Sequence, residues 1–547
     1  MKFLQSIREE KRLWSFSVVL GILFSMFFTL GRVLQKHTSL EEFDASDGVG
    51  LFFSFVIWSC VFIALLKYGS MFVDKYRCRK QTGVIWDKNK IFWIAFGVIV
   101  VAYIPVYLAA FPGVFSYDAP HQIWQFTTGH VHNNQPVISS YIILGIMSIG
   151  KIIFRSWEGG VAFYIGVQII FGAATFAKLL QIVYSRIESK ALFIIGLVLF
   201  AIHPMNHLFV VNCAKDVSYA YFTLWLVMLF GQAVSDRGKF FKNTENCIKL
   251  AAFLLLFLFY RNNSIYALII FIPIALLFYK KARKRLAVIL IGTAAVYMIV
   301  TGPVYSALGL QSSNKLNEML AIPTQQIANT YAKCGDDFTD EEKEVVFKVF
   351  PEESMESYQN WYNPTNSDAI RPSLNSEALE EMGLMKFMKT WASIGVRHMV
   401  CYNEALLNNT RGYWYVFHEF TQIGSDKYIE WDNSNYGAGV HTKRMPVLKG
   451  LSKFYHSIGQ EYSVGEVPEL AILFAPATTF LLFIMWTAFV IYKKEYKYLV
   501  PSVLLWLLMG TLFVGPLALM RYIYPLTICM PFLFGILLEK SGEPVNK

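Results

Sequence analysis

The sequence has few charged residues. Asp, Glu, Lys and Arg make up only 16% of its 547 residues, whereas 55% are hydrophobic. A soluble globular domain carries about a quarter charged residues, so this composition excludes an ordinary soluble enzyme. Many apolar runs are long enough to cross about 30 Å of hydrocarbon, and the short alternating strands of a β-barrel are missing. The composition therefore predicts an all-α polytopic membrane protein.

Cysteine motifs, internal repeats and low-complexity tracts are also lacking. The seven cysteines are scattered along the chain, and no CxxC or other metal-ligand spacing occurs, which disfavours a zinc site built on cysteine. Cys334 and Cys401 fall in the same polar region, so a disulfide and two unpaired thiols both remain open. No small-residue cleavage site follows the basic N-terminus, so we expect its apolar run to be a retained span.

The net charge of +10 does not indicate a nucleic-acid partner, because the basic residues cluster in short loops between apolar runs. Such loops favour the cytoplasmic side of a membrane. With the N-terminus inside, twelve spans place every basic loop and both termini in the cytoplasm, and we expect a multi-pass plasma-membrane protein. The four basic loops are Lys75–Lys80, Arg237–Lys242, Lys280–Arg285 and Lys493–Lys497.

The apolar runs predict the positions of the spans. An additional apolar segment, Val137–Phe154, is left out of the count because a full crossing there would invert every later loop. We predict that this segment is re-entrant or lies along the outer surface. The twelve expected spans are roughly 14–31, 50–67, 91–111, 161–180, 191–209, 217–233, 249–261, 264–279, 287–305, 469–491, 498–516 and 523–538.

The chain divides into four parts at changes of composition. Residues 1–90 hold two N-terminal transmembrane helices and a cytoplasmic loop, and residues 91–305 form a transmembrane core with an outer loop at 112–160. Residues 306–468 are polar, and because a structureless loop of that length is uncommon we expect a folded, mostly helical extracellular domain. Residues 469–547 hold the last three transmembrane helices and a short cytoplasmic tail.

The most informative stretch is Phe111–Gln122, which reads FPGVFSYDAPHQ. Proline and glycine end the preceding apolar run, and Asp118 then lies just above the expected membrane plane. A carboxylate there is costly unless it is functional, and it can act as a general base. An ordinary polar helix exit is the alternative. His121, His130 and His132 leave a metal site open, although their spacing matches no standard ligand pattern.

Three basic residues fall at span ends on the same outward side. Lys215 either pairs with its neighbour Asp216 or faces a phosphate as a point charge. Arg261 lies in a polar break that is either a hairpin turn or a place where a guanidinium fork meets a phosphate. Arg521 is either an interfacial anchor or a third phosphate ligand. Together they would stabilise negative charge on a departing phosphate.

These motifs resemble the GT-C superfamily of membrane glycosyltransferases. The resemblance rests on the PG-x4-D-x3-Q loop at Pro112–Gln122, the QP before the next apolar segment and the later KD pair. More narrowly, AKDVSYA, RNNSIYAL, IPTQQIA, YNPTNSD and TRGYWY are similar to a poorly characterised Gram-positive bacterial family placed near that superfamily. The likeness extends over residues from about 91 to 530.

The resemblance implies a fold of GT-C type, a polyprenyl-phosphate-linked sugar as donor and inversion at the anomeric carbon on the outer face. Asp118 matches the catalytic aspartate, and Lys215, Arg261 and Arg521 would bind the donor phosphate. The acceptor would be a cell-wall or surface glycopolymer. No paired acidic motif is present, so no cofactor is expected, and a divalent cation stays open. Further site candidates are Tyr117, His121, Gln122, Gln135, Glu158, Asp216, Asn262, Gln325, Gln326, Tyr362, Asp368 and Trp414.

Two other classes of protein remain as alternatives. A transporter or a flippase for lipid-linked sugars would favour charges midway through spans and two related halves, whereas most charges here lie at span ends. A non-catalytic assembly protein with a GT-C-like fold would keep the same residues without turnover. Sugar transfer in reconstituted membranes would separate these alternatives from a glycosyltransferase.

Overall fold

A computed structural model describes residues 2–78, 86–115, 118–133, 135–236, 239–310, 319–350, 362–418, 442–457 and 475–539. Nearly all secondary structure in these ranges is helical. β-Pairing within them is limited to two isolated bridges, Val114 with Asn212 and Asn366 with Leu517. The protein is therefore an all-helical chain in which a few extended segments connect helix ends.

We number the helices along the chain. The transmembrane part begins with α1 (Lys2–His37), α2 (Ala45–Arg77), α3 (Lys88–Ala110), α4 (Ala119–Thr128), α5 (Val137–Phe154), α6 (Trp157–Ile187), α7 (Lys190–Ile202), α8 (Pro204–Val210), α9 (Lys215–Ser235), α10 (Thr244–Tyr260), α11 (Ser264–Phe278) and α12 (Arg283–Ile299). The remaining helices are α13 (Ala321–Cys334), α14 (Asp340–Val349), α15 (Ser376–Met382), α16 (Leu384–Arg397), α17 (Met399–Trp414), α18 (Lys449–His456), α19 (Pro476–Tyr492), α20 (Leu499–Phe513) and α21 (Met520–Leu537).

Several helices begin at polar residues that satisfy free main-chain N–H groups. Asp44 and Asp47 form a capping box at the start of α2, and Ser156 accepts from the N–H of Gly159 at the start of α6. The short polar loops therefore also fix where each apolar helix enters the bundle.

Nine helices in the described part of the chain are long and apolar enough to cross a membrane, or ten if the bent pair α7 and α8 forms one span. The twelve predicted spans all overlap with helices. Three helices that overlap with predicted spans, α10, α11 and α19, are only 15–17 residues long and are not among the nine. One helix that the prediction leaves out, α5, is among them. The structure confirms a polytopic helical protein, and the count of twelve stays a prediction.

The two ends of the bundle differ in charge. At one end, Arg77 pairs with Glu495 at 2.5 Å, and Arg285 donates to the carbonyl of Phe241 at 2.9 Å, so the basic loops lie together as predicted. We call this the basic end. α9 runs from Lys215 to Ser235, a length of about 31 Å at 1.5 Å per residue. The opposite end, where α9 begins, is the site end.

The segment between α3 and α6 leaves the bundle and returns at the site end. Tyr107, near the end of α3, donates to the carbonyl of Ala162 near the start of α6 at 3.1 Å. Gly113 packs tightly on Val161: a Cβ atom added to Gly113 would lie only 2.9 Å from the Cγ1 of Val161. The end of α3 and the start of α6 are therefore neighbours. α4 and α5 lie between these two neighbouring helix ends. The re-entrant placement of Val137–Phe154 stays a prediction, because α5 is also long and apolar enough to cross a membrane.

The polar region between α12 and α19 contains its own hydrophobic core. This core includes Leu320 and Tyr402 as its first and last members and is separate from the main core of the bundle. Trp414 and Tyr455 belong to the main core instead. The described parts of the predicted domain at 306–468 are thus helical, but Trp414 and α18 pack against the bundle.

Candidate functional site

A short main-chain pairing sets up the site. Val114 donates to the carbonyl of Val211 at 2.9 Å and accepts from the N–H of Cys213 at 2.8 Å. Gln168 of α6 reinforces this pairing by donating to the carbonyls of Val210 and Asn212, both at 2.8 Å. The loop after α3 is therefore fixed beside the start of α9.

This pairing brings Asp118 to Lys215, 97 positions apart in the sequence. The Lys215 Nζ lies 2.5 Å from the Asp118 Oδ2 and also donates to the Gln135 Oε1 at 2.7 Å. Arg521, at the start of α21, places its Nη1 3.3 Å from the same Asp118 oxygen. Asp118, Gln135, Lys215 and Arg521 thus converge as the sequence predicts.

Asp216 connects the remaining arginine to this group. Its Oδ1 lies 3.5 Å from the Arg261 Nη1, and its Oδ2 lies 3.8 Å from the Arg521 Nη1. The simple alternative in which Lys215 and Asp216 pair with each other is wrong, since each pairs with other residues. We call Asp118, Lys215, Asp216, Arg261 and Arg521 the charge cluster.

Tyr522 holds the two arginines of the charge cluster together. Its ring centroid lies 4.5 Å from the Arg261 guanidinium carbon and 4.8 Å from that of Arg521, and its hydroxyl accepts from the Arg521 Nη2 at 3.0 Å. The ring attracts both cations and keeps them close despite their mutual repulsion. Sequence reasoning considered Tyr522 only as an interfacial anchor.

The charge cluster has more positive than negative groups. Three cations and two carboxylates give a formal charge of +1 (3 − 2), and all five side chains are mostly buried, at 5–29% exposure. Burial by itself would raise the pKa of Asp118, but Arg521, Lys215 and Arg261 outweigh it and hold that pKa well below its ordinary value. The cluster is a partly enclosed site with an excess positive charge that suits an anion.

A narrow apolar crevice lies beside Arg261 of the charge cluster. It is lined by residues of α9, α20 and α21, with Arg261 and Tyr522 among its walls. Leu505, Leu508 and Leu512 supply one apolar wall. The crevice therefore places buried apolar side chains next to Arg261.

Some predicted residues lie near the cluster in supporting positions. Asp368 pairs with Arg371 at 2.7 Å. Burial raises the pKa of Asp368, and Arg371 and Arg521 partly offset this effect, so this carboxylate is close enough to interact with the cluster. Asn262 donates to the carbonyl of Asn133 at 3.3 Å and fixes the loop before α5. Tyr117 lies outside the described residues.

Other predicted residues serve the packing of α4 and α6. Gln122 is buried and donates to Ser140 at 2.7 Å, which joins α4 to α5. His121 stacks on Trp124 with their centroids 5.6 Å apart. Glu158 accepts from the main-chain N–H of Lys443 at 3.4 Å, and no described contact connects it to Asp118.

The candidates in the polar domain lie mainly inside it. Gln325 donates to the carbonyl of Asn363 at 2.6 Å, and Gln326 donates to that of Tyr402 at 3.2 Å. Trp414 is buried and donates to Thr410 at 3.2 Å. Tyr362 packs against the second core. These four residues support the fold, whereas the carboxylate of Asp368 interacts electrostatically with Arg521 and Asp118.

Gln168 was missed at the sequence level. It lies within an apolar helix, and only its long-range bonds to the 210–212 segment show its role. A polar amide in the middle of a predicted span is the signal that could have pointed to it, because an unsatisfied amide there would be costly.

The sequence profile of DUF6020, a family of unknown function, matches residues 107–546. The chain belongs to this family. The DUF6020 match contains the whole charge cluster, while α1, α2 and most of α3 precede it. No curated protein matches the chain, and no solved structure does.

Proposed function

We propose that this DUF6020 protein is an inverting glycosyltransferase of GT-C type that moves a sugar from a polyprenyl phosphate to a cell-wall or surface glycopolymer. The observation that carries the proposal is the meeting of one carboxylate, Asp118, with Lys215, Arg261 and Arg521 beside an apolar crevice. A lipid-linked phosphodiester has one negative charge and a long apolar tail, and this arrangement offers a matching place for each.

In this mechanism Asp118 accepts the proton of an acceptor hydroxyl. The hydroxyl oxygen forms a bond to the anomeric carbon while the bond from that carbon to the phosphate oxygen breaks. The electron pair leaves with the polyprenyl phosphate, whose added charge is stabilised by Lys215, Arg261 and Arg521. Because attack comes from the face opposite the phosphate, the configuration at the anomeric carbon inverts.

The resting contacts of Asp118 explain how donor binding would activate it. Lys215 and Arg521 keep the pKa of Asp118 low, so the carboxylate is a weak base while both cations contact it. A donor phosphate competes for those cations. Their partial withdrawal raises the pKa of Asp118 and makes it a better base, which couples proton transfer to the presence of donor.

The charge distribution supports an outward location for the site end. The basic loops at the opposite end favour the cytoplasm, which would place the charge cluster near the outer face of the plasma membrane. Cysteines introduced at Lys389 or Lys281, in a background without Cys60, Cys78, Cys247 and Cys334, which are exposed or partly exposed, test this orientation. A membrane-impermeant thiol reagent applied to intact cells should label the Lys389 variant alone; labelling of Lys281→Cys would reverse the orientation.

A second function, a non-catalytic assembly protein that binds lipid phosphates, is favoured by one observation. The 2.5 Å contact of Asp118 with Lys215 is typical of a structural ion pair. In that case the cations would still bind a phosphate, but no proton would be taken from an acceptor.

Transfer assays with the full chain in liposomes distinguish the two functions. The substrates are polyprenyl-phosphate sugars with glycopolymer acceptors, and released polyprenyl phosphate is measured. Asp118→Asn should lower kcat about 10³-fold, within the usual range for a lost general base, while donor binding is kept because all three cations remain. Asp74→Asn, which breaks an ion pair with Lys493 at the basic end, is the matched control.

The two functions predict different outcomes. Full turnover by Asp118→Asn would overturn the base assignment. Tight binding of polyprenyl phosphate by the wild-type chain without transfer from any sugar donor would instead support the assembly function.

A further inference from the structure

A group of metal-ligand side chains lies in the polar domain, apart from the charge cluster. Cys334 ends α13, Asp337 lies in the turn that follows, and His398 is at the break between α16 and α17. One ligand atom from each of these residues lies within 4.8 Å of the other two. Side chains from two separate segments therefore converge on one small volume.

Cys401 joins this group through Cys334. The two sulfur atoms are 3.9 Å apart although the residues are separated by 67 positions. Two thiolates bound to tetrahedral zinc at about 2.3 Å each are about 3.8 Å apart. The observed separation is compatible with two thiolates on one zinc ion.

The spacing along the chain supports the same conclusion. Cys334 and Asp337 are separated by two residues, and so are His398 and Cys401. Structural zinc sites commonly take ligands in two such closely spaced pairs from different segments. Cysteine spacing alone does not indicate this site, because each pair combines one cysteine with a different ligand type.

His398 provides an independent indication of a ligand. Its Nε2 is buried and has no hydrogen-bond partner among the described residues, and its ring lies 6.3 Å from that of Phe338. A buried ring nitrogen without a partner is unfavourable. A metal ion bound at this nitrogen would remove the cost.

We propose that Cys334, Asp337 and His398 bind a zinc ion, with Cys401 moving in beside Cys334 as the fourth ligand, and that this ion fastens the end of α13 to the corner between α16 and α17. Each thiol releases its proton as its zinc–sulfur bond forms. The site is structural and does not depend on the proposed transferase activity.

Metal analysis of the purified full-length protein tests the proposal. After dialysis against metal-free buffer, mass spectrometry of the metals should find one zinc ion per chain. Replacement by cobalt should give the visible bands of a tetrahedral ion and a thiolate-to-cobalt charge-transfer band. His398→Gln should lower zinc affinity more than about 100-fold, since loss of an outer-shell partner alone costs 10–100-fold; Cys247→Ser is the control.

Two results would overturn this assignment. One is a Cys334–Cys401 disulfide in peptides from protein alkylated without reductant, because such a bond consumes both thiols. The other is a fully reduced chain that takes up neither zinc nor cobalt. If the variants do not fold, chelation followed by zinc addition tests the wild-type chain directly. Chelation should lower its Tm and zinc should restore it, and a Tm that responds to neither would contradict the proposal.

Discussion

Two buried groups of charges in this molecule are built differently. Glu404 in α17 is completely buried. It accepts from the Lys333 Nζ at 2.6 Å, from the main-chain N–H of Leu40 at 2.6 Å and from Ser39 at 2.9 Å. These three contacts are short, one cation meets one carboxylate, and the group joins the polar domain to the segment after α1.

The charge cluster is less complete. Its contacts range from 2.5 Å between Lys215 and Asp118 to 3.8 Å between Arg521 and Asp216, and it has one more cation than carboxylates. A closed, balanced group such as that of Glu404 specifies structure, whereas an unbalanced one retains the capacity to bind an anion. This comparison separates a structural ion pair from a candidate ligand site.

Replacing Glu404 should therefore destabilise the protein more than replacing Asp118. Glu404→Ala should lower the free energy of unfolding by about 3 kcal/mol or more, because it leaves Lys333 without its buried partner. Asp118→Asn should cost about 1 kcal/mol, since Lys215 keeps Gln135. Thermal unfolding in detergent measures both. Equal losses of stability would contradict the distinction between the two groups.

The next largest effect should be on phosphate binding. Arg521→Gln removes the cation that contacts both carboxylates, and a charged hydrogen bond is worth about 1.5–3 kcal/mol. The affinity for polyprenyl phosphate, measured by titration, should fall about 10- to 100-fold. Arg283→Gln at the basic end is the matched control. Unchanged affinity in Arg521→Gln would exclude the cluster as the phosphate site.

Sequence reasoning predicted the helices well and the contacts between them only in part. The positions of all twelve expected spans follow from apolar runs. The prediction that Val137–Phe154 is re-entrant rests on the basic loops, because charge restricts which loops share a side, and it stays a prediction. The length of α10 and α11 could not be read from hydropathy, since helix ends in a bundle depend on tertiary packing.

Some residues of the site could be predicted because each is a charged residue at the end of an apolar run. Asp118, Lys215, Arg261 and Arg521 stand out because charges near a membrane are expensive. The role of Tyr522 between two arginines was not predictable, since an aromatic residue at a span end usually marks the membrane interface. The polarity of Gln325 and Gln326 predicts a place in the site, but both side chains are buried and donate to main-chain carbonyls, so they are structural.

A smaller loss of affinity is expected from Tyr522. Tyr522→Leu removes a ring that contacts both Arg261 and Arg521, and each such contact is worth about 0.5–2 kcal/mol. Polyprenyl phosphate should bind about 3- to 10-fold more weakly. Tyr522→Phe keeps the ring and loses only the hydroxyl, so it should restore most of the affinity. No rescue by phenylalanine would show that the hydroxyl, and not the ring, positions the arginines.

The smallest expected effect is the absence of an acid limb in the pH profile. kcat/KM reports the pKa values of the free enzyme, and the cations hold the pKa of Asp118 well below its ordinary value. The carboxylate is therefore fully ionised at every pH above about 5, given an ordinary value near 3.9. Protonation of Asp118 should therefore not lower kcat/KM for transfer between about pH 5 and pH 7.

An acid limb near pH 6 that disappears in Asp118→Asn would show that the cations do not lower the pKa of Asp118 in the free enzyme. The pKa of Asp118 would then behave differently from that of Glu404. Burial raises the pKa of Glu404, but its hydrogen bond from Lys333 helps to lower it below the ordinary value.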